Sequence, residues 1–279
     1  MCGRYAASRN PDDLVEEFEV EEVALGEGDS GDEPPEGARP DWNVAPTRPH
    51  PVVLERSSRG EPDAPARRQL RLLTWGLVPS WAKDRAVGNK MINARAESLL
   101  EKPAYRRAAT SRRCLVPADG WFEWQPSPVA KDAKGKPRKQ PFFVRPEDGS
   151  VIAFAGVYEF WRDPARDADD PAAWLTTYAI VTTGAEGGLD RIHDRQPLVL
   201  PRDRWAAWLD PAVDDPDEVR GLLAPAPPGR FVALPVSTRV NNVRNNGPEL
   251  VEPLAVEELV GVVDPVTGEV LGAQDASLF

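Results

Sequence analysis

Cysteine, histidine and methionine are scarce in this 279-residue chain, with two of each. Two cysteines cannot build a disulfide framework, and in a reducing compartment Cys2 and Cys114 are expected as thiols. Two histidines, His50 and His193, leave too few ligands for a Cys/His zinc site, so neither a structural metal nor a cofactor is expected. No run approaches eighteen apolar residues, which argues against a membrane-spanning helix. The start Met1-Cys2-Gly3-Arg4-Tyr5 lacks the basic-then-apolar order of a signal peptide. These absences predict a cytoplasmic protein with no membrane partner. No internal repeat is evident.

What is present is a globular composition: 41% hydrophobic residues, with nine Trp and eight Phe, enough to bury one sizeable core. Thirty prolines predict short elements and many turns. The net charge of -11 disguises a segregation. Residues 12–41 hold 13 acidic side chains against Arg39 alone, whereas residues 67–113 hold 12 Lys or Arg against Asp84, Glu97 and Glu101. Residues 131–145 add six basic groups against Asp132. Such blocks can form a positive surface whatever the global sign, although a solvated mixed face would read the same way.

Along the chain, Asn10-Pro11-Asp12-Asp13 reads as a helix start, with Leu14 and Phe18 facing the core. The acidic segment at about 21–41 has little to bury and reads as a flexible insertion. Leu70–Val78 is expected as a strand, and Asn93–Leu100 as a short helix ending before Pro103. Residues 114–116 and 120–124 are short strand candidates, and 125–139 reads as a basic loop. Further strands are expected at 140–145, 151–161, 174–183 and 231–236, with helices at 202–209 and 216–223. The balance predicts an α+β fold, a single compact domain whose curved, barrel-like sheet is largely antiparallel, with short peripheral helices.

Cys2 has a chemistry tied to its position. Once Met1 is removed, its α-amine and thiol sit on adjacent carbons and can together condense with an aldehyde, giving an imine that closes to a thiazolidine. An ordinary second residue is the plain alternative. Glu123, in Gly120-Trp121-Phe122-Glu123-Trp124, would share a strand face with Trp121, and a lone acid among aromatics is costly unless paired or protonated. His193 has the intrinsic basicity for proton transfer, or makes a structural hydrogen bond. Trp75 and Trp81 flank a short loop beside Lys83 and Arg85, as a stacking platform for single-stranded nucleic acid requires, though either ring equally suits the core. Arg4, Arg85, Arg106, Arg107, Arg112, Arg113 and Arg195 are candidate phosphate contacts.

Seven segments in order carry a resemblance: Cys2-Gly3-Arg4-Tyr5, Trp42-Asn43-Val44-Ala45-Pro46-Thr47, Trp75 to Trp81, Asn93-Ala94-Arg95-Ala96-Glu97, Gly120 to Trp124, His193-Asp194-Arg195-Gln196-Pro197, and Val240-Asn241-Asn242-Val243. Together they resemble the SRAP family, the SOS response-associated peptidase domain, over residues 2–254, with 255–279 left as an extension packed on the domain or trailing it. The resemblance implies a covalent link between processed Cys2 and the aldehyde of an abasic site in single-stranded DNA. It also implies that Asn93 orients the sugar or amine and Arg95 holds a phosphate. Glu123 becomes the general acid/base, and His193 opens the sugar. Removal of Met1 by the protein itself is part of the same implication, as is a lyase-like enzyme class. The alternatives are a cysteine-dependent peptidase acting on other proteins and a non-covalent single-strand binding module. No oligomerisation signal is visible, so a monomer is expected.

Overall fold

Strands carry most of the architecture, because β-branched and aromatic runs are separated by proline-rich turns that keep helices short. The computed structural model describes residues 2–26, 34–57, 64–167, 169–259 and 261–272. In chain order these give β1 (Tyr5–Ala7), α1 (Pro11–Glu17), β2 (Glu22–Ala24), β3 (Asp41–Val44), β4 (Pro49–Arg56), β5 (Arg67–Trp75), β6 (Asn93–Arg95), α2 (Arg106–Ser111), β7 (Arg113–Ala118) and β8 (Gly120–Lys131). They continue with β9 (Pro137–Pro146), β10 (Ile152–Arg162), β11 (Trp174–Gly184), β12 (Arg195–Pro197), β13 (Val199–Leu200), α3 (Trp205–Leu209), α4 (Pro216–Leu222), β14 (Phe231–Pro235), β15 (Val262–Val263) and β16 (Val270–Leu271).

Strands β5, β4, β7, β10 and β11 are hydrogen-bonded in that order, and β11 pairs back onto β5 in parallel at Thr177–Thr74 and Tyr178–Trp75. That last pairing closes a five-stranded barrel and removes two sheet edges. A second sheet, ordered β14-β9-β8-β1-β3, packs against it. Tyr5 and Trp121 from this sheet meet Trp75, Phe154 and Tyr178 of the barrel in one buried cluster. The hydroxyls of Tyr5 and Tyr178 satisfy each other there at 2.7 Å. On the outside, α2, α3 and α4 cover the barrel through Ala108, Trp208 and Val219, and Trp208 Nε1–H donates to the Cys114 carbonyl. The expected α+β class and barrel-like, mostly antiparallel sheet are what the structure contains.

Helix α1 forms as its capping residues predict: Asn10 accepts from the Asp13 N–H, Pro11 occupies the first turn, and Leu14 and Phe18 are buried. Four local expectations are corrected. Residues 93–100 are not a helix: Asn93–Arg95 is a strand pairing in parallel with Ile180–Thr182, followed by one 3-10 turn. The expected strand at 70–78 starts earlier and stops at Trp75. The basic loop at 125–139 is the far end of the β8–β9 hairpin, with its turn at residues 132–135. The acidic segment is partly ordered, since Glu22–Ala24 pairs with β5 and Ala38 is buried, while residues 27–33 lie outside the described residues. Acidic and basic blocks also meet: the Arg68 guanidinium contacts Glu19, and its backbone N–H donates to Glu21.

Gly76 follows β5 with φ +122°, and a Cβ there would lie 2.7 Å from the Gly88 carbonyl oxygen. The Gly76→Ala variant combines backbone strain with a backbone clash, so it is expected to cost roughly 1–3 kcal/mol. Chemical denaturation of the two proteins checks this.

Candidate active site around Cys2

The site is assembled by strand pairing. Strand β1 runs antiparallel to β8, with Tyr5 opposite Trp121 and the Phe122 N–H donating to the Arg4 carbonyl. Side chains alternate along β8, so Trp121, Glu123 and Gln125 share a face while Phe122 and Trp124 pack on the other. Cys2, ahead of β1, is buried in the same cluster as Tyr5 and Trp121, close enough to Glu123 for the carboxylate to act on its thiol. Cys2 is fully buried, and its thiol donates weakly to the Arg4 carbonyl at 3.6 Å. Burial, reinforced by the neighbouring Glu123 carboxylate, pushes the thiol far above its usual range, so it is held as S–H rather than thiolate.

Glu123 is itself 4% exposed, and burial raises its carboxyl to about 7. Near neutral pH it therefore exists in both forms, the condition under which one carboxyl gives and takes protons. Asn93, at the start of β6, donates from Nδ2 to the Cys2 carbonyl at 2.7 Å. Its Oδ1 is buried and without a hydrogen-bond partner among the described residues. Tyr105 holds the same strand by donating its hydroxyl to the Asn93 carbonyl.

His193 follows a short 3-10 turn, Leu189–Arg191, and precedes β12. Gln125 on the Glu123 strand donates to the Arg191 carbonyl, which sets the histidine loop beside β8, and Asp194 and Lys139 act electrostatically on both the His193 ring and the Glu123 carboxyl. Its Nδ1 lies 3.0 Å from the Arg195 N–H and 2.9 Å from Asp194 Oδ1. The first contact suits a ring whose Nδ1 is bare and accepts a hydrogen bond, and the second suits a ring whose Nδ1 carries a proton and donates it. Partial burial lowers the ring's basicity, so the neutral form prevails near pH 7.

The four expected chemical residues, Cys2, Asn93, Glu123 and His193, thus converge, while the expected nucleic-acid residues divide. Trp81 is 66% exposed and lines a groove with Asn93, Arg95, Lys102 and Tyr105, adjoining the Cys2 site through Asn93. Arg85 lies in a different cleft, with Thr47, Thr74 and Asn89. Trp75 is corrected from platform to core: it is fully buried and its Nε1–H donates to the Ile92 carbonyl, so no base can reach its face. Arg195 is also corrected. Its guanidinium forms a bidentate pair with Glu97, at 2.6 and 2.8 Å, and donates to the Thr182 carbonyl, which makes it a strut between β11, β12 and the turn after β6. Arg112 is spent on Glu159, and Arg113 on the Ala109, Trp208 and Asp210 carbonyls. Arg4 is anchored by Asn43 Oδ1 and the Val240 carbonyl and lies 6.0 Å from the Trp124 ring, so it shapes the wall next to Cys2.

Sequence reasoning passed over Asn43, whose amide donates to the Val240, Asn242 and Asn245 carbonyls and ties the last resemblance segment to β3. It also passed over Gln125, although a polar residue two positions after Glu123 on an inward face was a readable signal.

The chain is similar to known proteins over most of its length. The family model for SOS response associated peptidase (SRAP) matches residues 1–243. The chain is 36% identical over 252 residues to the abasic site processing protein YoqW of Bacillus subtilis, covering 90% of this chain and 99% of YoqW. It is 32% identical over 256 residues to the abasic site processing protein YedK of Escherichia coli, covering 91% and 100%. A crystal structure of a protein from Bacteroides thetaiotaomicron superposes with a TM-score of 0.69 at 22% identity, covering 91% and 100%, a likeness of fold. With the match running across the barrel and all four converging side chains, the chain belongs to the SRAP family.

Proposed function

We propose that this protein processes abasic sites in single-stranded DNA by capturing the ring-opened sugar aldehyde on Cys2 as a thiazolidine. The observation that carries this reading is the placement of a buried, neutral Cys2 thiol beside a carboxyl poised near 7, with the Cys2 backbone held by Asn93. The names of the two relatives, abasic site processing proteins, point the same way.

The sequence of bonds follows from the groups present. After Met1 is removed, the Cys2 α-amine adds to the aldehyde carbon and the resulting carbinolamine expels its hydroxyl as water, with the Glu123 carboxyl as proton donor. The thiol then adds across the C=N bond, carbon–sulfur bond formation being matched by transfer of the sulfur's proton to nitrogen. One water is lost overall and nothing is oxidised or reduced. Neutral His193 takes the hydroxyl proton that opens the closed sugar, and Asn93 Oδ1 offers an acceptor to a hydroxyl of the opened chain. Arg95 and Lys102 supply cations along the groove, and Trp81 a ring on which a base adjoining the lesion stacks.

A cysteine peptidase would need a thiolate paired with a histidine, and burial together with Glu123 opposes that thiolate. Processed protein, its N-terminus checked by mass spectrometry, should form a 1:1 adduct with a strand bearing one abasic site and leave a generic peptide uncut. Peptide cleavage without an adduct would reverse the assignment. The Trp81→Ala variant should weaken binding of an intact single strand by roughly tenfold, the loss of about one base–aromatic stack, measured by fluorescence anisotropy at fixed salt. It should leave thermal stability unchanged, because the ring is exposed.

A further inference from the structure

The hairpin formed by β15 and β16 lies beyond residue 243, where the family match ends. It is seated on the two segments that carry the site's acid and base. Gln125, two residues after Glu123, accepts from the Val263 N–H at 2.8 Å. Its amide donates to the Val263 carbonyl at 2.9 Å and to the Arg191 carbonyl at 3.2 Å. One side chain thereby joins β8, the histidine loop and the hairpin. Ser127, on the same face of β8, donates to the Gly261 carbonyl.

The hairpin grips the histidine loop from its other end as well. Arg191, two residues before His193, donates from Nη1 to the Pro265 carbonyl at 2.5 Å and the Val266 carbonyl at 3.0 Å. Those carbonyls are presented by a turn that organises itself: Asp264 Oδ1 accepts from the Val266 and Thr267 N–H groups, and the Asp264 carbonyl accepts from Gly268. Approach is close at Gly188, which has φ +94° and where a Cβ would stand 3.1 Å from the Pro265 carbonyl oxygen. Beneath these bonds, Leu259 and Val262 are buried in the same cluster as Leu189 and Ile192 of the histidine loop.

From this geometry we infer that the C-terminal hairpin is a brace that sets the position of His193 relative to Glu123, with Arg191 and Gln125 as positioning residues. The inference rests on the acid and base roles given above to Glu123 and His193. A loop held at its entry by two carbonyls and across its backbone by Gln125 keeps the imidazole in one orientation, and small displacements of a proton-transfer group are costly to rate. Binding of intact DNA does not require the brace, because the Trp81 groove lies on other elements.

The test uses the full, processed chain with Arg191→Met, which removes the grip at an exposed side chain, and Arg191→Lys, which retains a donor. The chain's two histidines make the readout direct. Burial holds His50 neutral down to about 3, so between pH 5 and 8 the imidazole resonances of labelled protein report titration of His193, faced by Asp194 and Lys139. Arg191→Met should move that titration upward, toward an ordinary exposed imidazole. It should also slow cross-linking at saturating abasic strand by roughly tenfold and leave intact-strand affinity within about twofold. Arg191→Lys should recover most of both effects. An unmoved His193 titration, or a loss of intact-strand affinity matching the loss of rate, would overturn the brace. Absence of adduct in the unmodified protein would instead remove the capture reading, and the resonance shift would still decide the brace.

Discussion

Replacing Cys2 by serine or alanine is expected to reduce the denaturation-resistant adduct on an abasic strand to background, while binding of intact strands stays unchanged. The two variants keep the α-amine, so each still forms an imine with the aldehyde, but neither supplies sulfur to close the ring. Serine offers an oxygen that is a far poorer nucleophile under the same conditions. Borohydride added during the reaction reduces an imine to a stable amine, so it should restore a covalent product in Cys2→Ser and Cys2→Ala. Recovery with reductant separates the two halves of the residue, showing that nitrogen reaches the sugar and that sulfur is what makes the natural product last. Cys114 cannot substitute: it is fully buried against Gly156 on the barrel wall, and its thiol is pushed far above the usual range by burial. A Cys2→Ser protein that forms the stable adduct without reductant would assign the sulfur elsewhere.

The Glu123→Gln variant should lower the rate of adduct formation by about a hundredfold or more, the usual worth of a positioned general acid. It should also change the shape of the pH profile. With its carboxyl raised to about 7, the acid form is present below that pH and disappears as pH climbs through it. The unmodified protein should therefore slow above about pH 7, and the glutamine variant, having no proton to lose, should not show that limb. Stability supplies an independent check. A buried carboxyl raised above its ordinary 4.5 binds more protons in the folded than in the unfolded chain between those two values, so folding stability falls as pH rises from about 4.5 to 7. Glu123→Gln removes that slope and should stabilise the fold at pH 8 by about 1–3 kcal/mol, measured by denaturation at pH 5 and pH 8. A variant that is slow yet shows the same pH-dependent stability would mean that another group sets the slope.

The parts of this molecule that could be read from sequence are those fixed by neighbours in the chain. Alternation along Trp121, Phe122 and Glu123 gave the acid its inward direction, and Asn10-Pro11 announced α1, because both depend on local geometry. The Asn93–Leu100 segment misleads because Ala94, Ala96, Leu99 and Leu100 are helix formers, whereas its conformation is set by parallel pairing with Ile180–Thr182 on a strand far along the chain. Trp75 and Trp81 look alike in sequence, six residues apart beside the same loop. Only the register of β5 against β11 turns the first into the core and leaves the second in solvent. Arg195 reads as a phosphate contact in the sequence, whereas in the fold Glu97, 98 residues away, occupies both of its terminal nitrogens. Barrel closure and the hairpin's grip on Arg191 are likewise long-range, and no periodicity within either partner encodes them.

The most direct measurement is on the product itself. Processed protein joined to a short abasic strand, treated with borohydride after the reaction is complete and then digested with trypsin, should yield the fragment Cys2-Gly3-Arg4 carrying the DNA. Its mass should equal fragment plus strand less one water, with no hydrogen added by the reductant. A fragment that gains two hydrogens would be an open imine, and DNA attached to a lysine or to a fragment retaining Met1 would place the chemistry on another amine; either result contradicts ring closure by the paired nitrogen and sulfur of Cys2.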